Sequence, residues 1–115
     1  METVLLVLKI ITGIGTILTG LYALVAPRKV FGFTGLTAEG GRGITEIRAV
    51  LGAFFIALGT AALLFMDAKT WTMLGIAYLG VALVRFIFMF IDKSVIKSNI
   101  ISLIVEIIFG IILVI

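Results

Sequence analysis

Apolar residues fall in four long blocks along the chain, separated by short polar breaks. A helix that crosses a bilayer needs about 20 mainly apolar residues, each adding 1.5 Å of rise. The pattern therefore predicts an all-α fold, a bundle of four antiparallel transmembrane helices with the N-terminus and C-terminus on the same, outer side. The spans run from about Thr3 to Ala26, Thr45 to Met66, Thr70 to Ile91 and Val95 to Ile115. Pro27 ends the first, Asp67 follows the second and Asp92-Lys93 follows the third. Residues 1–115 read as one integral membrane domain. Met1-Glu2 offers no basic leader and Lys9 interrupts the first apolar run, so a cleaved secretory signal is not expected.

The breaks between spans differ. Two are only a few residues long, which makes spans two, three and four antiparallel neighbours. The first, residues 27–44, is long. Its Val30-Phe31-Gly32-Phe33 part suits the membrane interface beside Arg28 and Lys29. Its Gly-rich part, Thr37 to Gly43, is expected to be mobile, and it lacks the Lys-Ser/Thr of a phosphate loop. Arg28, Lys29, Arg42, Lys93 and Lys97 share one side, whereas only Lys69 marks the other. The positive-inside rule then puts the first and third loops in the cytoplasm. Trp71 and Tyr22 fit opposite interfacial belts.

Composition narrows the class further. Hydrophobic residues make up 63% of the 115 positions, charged residues 13%, and mean hydropathy is +1.38. A chain this short cannot hide so much apolar surface in water, which excludes a soluble enzyme and a disordered tail. With no Cys and no His, disulfides, thiolate chemistry and imidazole metal or acid–base sites are excluded. The net charge is +3, but the basic residues are scattered and form no nucleic-acid footprint. No cofactor motif is evident and no metal-ligand set can be assembled. The expected setting is the prokaryotic cytoplasmic membrane, with the lipid bilayer as the first partner.

Charges inside the spans carry the functional information. Lys9, Glu46, Arg48, Arg85 and Glu106 all fall there. Each costs about 2.5–3.5 kcal/mol at mid-membrane on insertion scales, so such side chains turn away from lipid. At 100° per residue, Arg48, Gly52, Phe55 and Gly59 share one face of span two, and Glu46 points nearly opposite. Tyr78, Arg85 and Asp92 share a stripe of span three. Asn99, Ser102, Glu106 and Gly110 do so in span four, and Lys9, Thr12, Gly13, Thr16 and Gly20 in span one. Small and polar faces turned inward give a bundle with a polar interior. The best pairing is Glu106 with Arg85, with Arg48 and Tyr78 as second partners, because an arginine forks onto a carboxylate. Plainer roles compete: glycines as packing contacts, Lys9 snorkelling outward, loop cations as topology signals. The spacing Lys9, Gly13, Gly20 recurs as Arg48, Gly52, Gly59, a coincidence expected where Gly and Ala are common.

With these positions laid out, the chain resembles a family of small bacterial four-helix membrane proteins distantly related to the DoxX-like superfamily. The resemblance rests on Pro27, Phe31-Gly32-Phe33, Glu46-Ile47-Arg48-Ala49-Val50-Leu51-Gly52, Arg85, Asp92 and Glu106. It departs at Ala53 and Lys93, where that pattern often has Gly. It implies a four-helix bundle and a membrane redox or assembly role. Small multidrug transporters are of similar length but carry their embedded Glu in the first span, where this chain has Lys9.

Three functions follow as expectations. The first is a binding or transport protein whose polar interior, lined by Arg48, Tyr78, Arg85, Asn99, Ser102 and Glu106, takes a lipid head group or small ion. Two arginines against one carboxylate favour an anionic or amphipathic ligand. The second is a structural or accessory subunit, a homodimer or a component of a larger membrane complex, whose charges set helix packing. The third, an enzyme, is weakest, since no nucleophile–base pair is evident.

Overall fold

The computed structural model describes residues 1–115 and is all-helical, with no strand. The elements are α1 (Glu2–Val25), a 3-10 turn (Pro27–Lys29), α2 (Val30–Thr34), α3 (Gly40–Glu46), a π-helical segment (Ile47–Ala53), α4 (Phe54–Phe65), α5 (Ala68–Ile91) and α6 (Lys97–Val114). From α3 to α4 the helix is continuous. Four helices are thus long and apolar enough to cross a membrane: Glu2–Val25, Gly40–Phe65, Ala68–Ile91 and Lys97–Val114. The chain forms two compact units, residues 13–65 and residues 1–12 with 66–115, and α1 runs through both.

The second span starts five residues before the expected Thr45. The Gly-rich stretch Gly40 to Gly43 is helical, not an open loop. Two features favour this. Arg42 pairs with Glu46 one turn on, and Gly43 lies so close to Ala38 that a Cβ there would meet the Ala38 Cβ at 2.8 Å. The rest of the first loop is also ordered by packing. Val30 is buried with Ala23 and Ile47, and Phe31, Ala38 and Leu51 pack around them. Gly35 closes α2 in the left-handed conformation (φ 78°), returning its N–H to the Phe31 carbonyl.

Side-chain distribution is that of a protein in lipid. The buried positions are mostly small: Thr12, Gly13, Thr16, Gly20 and Ala23 on α1, then Gly52, Gly59 and Ala62. Large Leu, Ile, Val and Phe side chains point outward. The stripe expected on α1 is therefore the inward one, with Lys9 half-buried at its end. In unit 13–65 the seam is built on glycines. A Cβ on Gly20 would run into the Gly52 carbonyl oxygen, and one on Gly59 would lie 2.7 Å from that of Gly13. The repeated seven-residue glycine spacing is thus one antiparallel contact in which each pair faces the other.

In unit 1–12/66–115, α5 and α6 pack along matched stripes. Asp67 caps α5, its carboxylate accepting from the Thr70 N–H at 2.8 Å. The Thr70 side chain, and after it this backbone bond, hold the Asp67 carboxyl below the usual carboxylate range. Gly75 and Gly110 meet backbone to backbone: a Cβ on Gly75 would sit 3.0 Å from the Gly110 oxygen, and one on Gly110 3.3 Å from that of Gly75. Trp71 is 2% exposed and belongs to the inward stripe with Gly75 and Ala82, so it is not the belt residue expected. Its spacing of four from Gly75 puts it on the buried face, and this outweighs its position near a helix end. Tyr22 is 50% exposed, as a belt residue would be.

Candidate functional site

The site grows from the α5 stripe. Trp71, Gly75, Tyr78, Ala82, Arg85 and Met89 recur at intervals of four and three. On α6 the facing positions are Asn99, Ser102, Glu106, Gly110 and Leu113. The glycine contact draws the two backbones together at one end. Further along, Tyr78 meets the Phe109 ring edge-on, with centroids 5.5 Å apart. Arg85 lies about 9 Å from the C-terminal end of α5, and Glu106 about 14 Å into α6, at 1.5 Å per residue.

Here Arg85 forks onto Glu106. Nε donates to Oε1 and Nη2 to Oε2, each at 2.8 Å. Nη1 donates to Asn99 Oδ1 at 2.8 Å. Asn99 Nδ2 in turn donates to the Ser94 carbonyl at 3.0 Å and to Ser94 Oγ at 3.2 Å. The Glu106 side chain is 12% exposed and that of Arg85 31%, so the carboxylate is the inner partner and the guanidinium the outer. The planar fork suits a low-dielectric pair, since it satisfies both carboxylate oxygens at once.

Ser94 is placed by the turn that ends α5. Lys93 adopts a left-handed conformation (φ 54°). The Ser94 N–H reaches back to the Met89 carbonyl at 2.8 Å, and the Lys93 N–H to that of Phe90 at 3.3 Å. This is a Schellman closure with lysine where glycine is usual. It turns the Ser94 carbonyl and hydroxyl toward Asn99.

Arg85 has five N–H donors and commits three, leaving two. It also lines an open groove of about 530 Å³. The other polar lining residues are Asp92, Ser94 and Asn99. The apolar wall includes Gly80, Val81, Val84 and Phe88. Gly80 is exposed, and a side chain there would meet nothing within 4 Å.

Of the six residues expected in the site, the structure joins Arg85, Asn99 and Glu106 in one network. Ser102 lies on the same α6 stripe, half-buried, and makes no side-chain hydrogen bond. Tyr78 sits on the α5 stripe with Phe109. Arg48 is not joined to this network. It belongs to unit 13–65, is exposed and has no ion pair. Arg48 lies in the π segment. There the Phe54 N–H bonds to the Ala49 carbonyl, five residues back. Ile47 and Gly52 are the buried residues of this segment, Ile47 packing with Ala23 and Val30. Sequence reasoning left Ser94 out of the site altogether. Asp92 it placed on the stripe of Arg85 but not in the site; heptad spacing was the available signal.

No three acidic side chains converge as a metal cluster would require. Compared with family models, curated proteins and solved structures, the chain matches none of them. What the fold defines is an all-helical chain with four segments able to cross a membrane, a multi-pass integral membrane protein.

Proposed function

We propose that the protein is a small binding or transport protein of the prokaryotic cytoplasmic membrane, and that its α5–α6 site takes a lipid head group or small ion. The observation that carries this reading is an arginine within a span that keeps two donors uncommitted while lining a groove. An intramembrane charge is expensive and marks a functional position more often than a packing one. The breaks 27–39 and 92–96, with Arg28, Lys29, Arg42, Lys93 and Lys97 in or beside them, lie on the cytoplasmic side in this reading. The DoxX-like resemblance belongs to the same proposal.

A second reading has its own support. Arg85, Glu106, Asn99 and Ser94 tie α5 to α6 in one chain of hydrogen bonds, and no buried side-chain polar atom lacks a partner. An accessory subunit, self-associated or joined to a larger complex, would use such a network to fix helix register. One experiment separates the two. Replacing Arg85 by Met together with Glu106 by Leu removes both charges at similar volume and leaves no orphan. Native mass spectrometry of detergent-released protein is expected to show a defined small-molecule adduct in the wild type and none in the double variant at equal thermal stability. An adduct kept by both proteins, or absent from both, would reject the binding reading in favour of the structural one.

A further inference from the structure

The α5–α6 groove orders its chemistry along one axis. At its mouth stand Asp92, just past the end of α5, and Ser94. Seven residues before Asp92, about 10 Å at 1.5 Å per residue, Arg85 offers its free donors beside Asn99. Farther back along α5 come Val84, Val81 and Gly80, with no polar side chain among them. The charges do not balance. Glu106 neutralises Arg85 through the fork, so Asp92 leaves the lining with one net negative charge. The neighbouring Lys93 and Lys97 do not line it. The expectation of an anionic ligand rested on two arginines, and Arg48 is exposed on the π segment of unit 13–65.

From this order we infer that the groove's occupant is an aminophospholipid, zwitterionic with a primary ammonium group. The ammonium, with three donors, meets the Asp92 carboxylate and Ser94 Oγ at the mouth. The phosphate or the ester oxygens behind it accept from the two free N–H groups of Arg85. One acyl chain follows the apolar wall, where Gly80 leaves the α5 surface bare. A quaternary ammonium has no donor for the acceptors at the mouth, and an anionic glycerol head group would face Asp92 with like charge. This inference rests on the binding reading above and specifies its ligand.

The test is lipid competition. The full chain is incubated in mixed micelles holding equal amounts of phosphatidylethanolamine, phosphatidylglycerol and phosphatidylcholine, and retained lipid is read by native mass spectrometry. The wild type is expected to retain phosphatidylethanolamine about tenfold over either competitor, the worth of one charge-assisted hydrogen bond. Asp92→Asn, at an exposed position with no side-chain partner, is expected to keep the fold and lose that preference. Val84→Trp, which fills the wall from an exposed site, is expected to lose retention of all three lipids. Equal or greater retention of phosphatidylglycerol, or a preference unchanged in Asp92→Asn, would overturn the aminophospholipid assignment and leave the binding reading standing. Retention that survives Val84→Trp would overturn the groove as its seat. No retained lipid of any class would overturn the lipid form of the binding reading itself, and this inference with it.

Discussion

Both units are seamed by glycines yet treat an arginine in opposite ways. In unit 13–65, Gly13 and Gly20 meet Gly59 and Gly52, and Arg48 faces out. In the α5–α6 pair, Gly75 meets Gly110 and Arg85 faces in, forked onto Glu106. The difference is one of partners: Arg85 meets a carboxylate and Arg48 makes no ion pair. Regular α-helix carries the α5 stripe unbroken from Trp71 through Arg85 to Met89. In the π segment Ile47–Ala53 the apolar Ile47 is buried and its charged neighbour is exposed. A charge within a span is held inward where a facing acceptor meets it.

The two arginines give the largest contrast to test. Arg85→Ala leaves Glu106 half-buried without its partner and should cost about 3 kcal/mol or more in thermal or denaturant unfolding. Arg48→Leu removes an exposed charge with no ion pair and should change stability by less than about 0.5 kcal/mol in the same measurement. Equal losses would erase the distinction between the two regions.

Glycines sharpen it next. Gly20→Ala drives a methyl into the backbone of Gly52 and Ile56, which cannot yield as a side-chain tip can. Overpacking of this kind costs about 1–3 kcal/mol. Gly80→Ala meets nothing and should stabilise by about 0.5–1 kcal/mol through helix propensity. Unfolding midpoints in one detergent give both signs.

The turn after α5 predicts a smaller gain. Lys93 holds a left-handed conformation that costs a side-chain-bearing residue about 1 kcal/mol. Lys93→Gly should raise stability by about that amount and keep Ser94 in place, seen as unchanged ligand retention.

The smallest effect is at the start of α5. Asp67 accepts from Thr70, and its pKa is lowered. A carboxyl lowered on folding contributes stability above its unfolded value and loses it as pH falls through the folded one. The midpoint gap between wild type and Asp67→Ala should therefore be full above the ordinary carboxylate range and close as the medium becomes more acidic than that.

Much of this was legible in the sequence. Span length and apolar runs set the four helices, and regular phase in α5 and α6 brought Arg85, Asn99 and Glu106 to one seam. What failed did so for physical reasons. A π segment leaves no mark in apolar periodicity, and the burial of Ile47 by Ala23 and Val30 is a long-range packing that no helical step predicts. Glycine's low helix propensity hid the early start of α3, which packing against Ala38 overrides. Position near a helix end hid the burial of Trp71, which its phase implied. The role of Ser94 depends on its backbone carbonyl, aimed by a lysine in a conformation that favours glycine.

The most direct test is the double-mutant cycle across the fork: wild type, Arg85→Met, Glu106→Leu and both, compared by unfolding free energy. Two charges that depend on each other should make each single variant less stable than the double, a strong positive coupling. Additive losses, with the double variant the least stable of the four, would contradict the pairing of Arg85 with Glu106 on which the site rests.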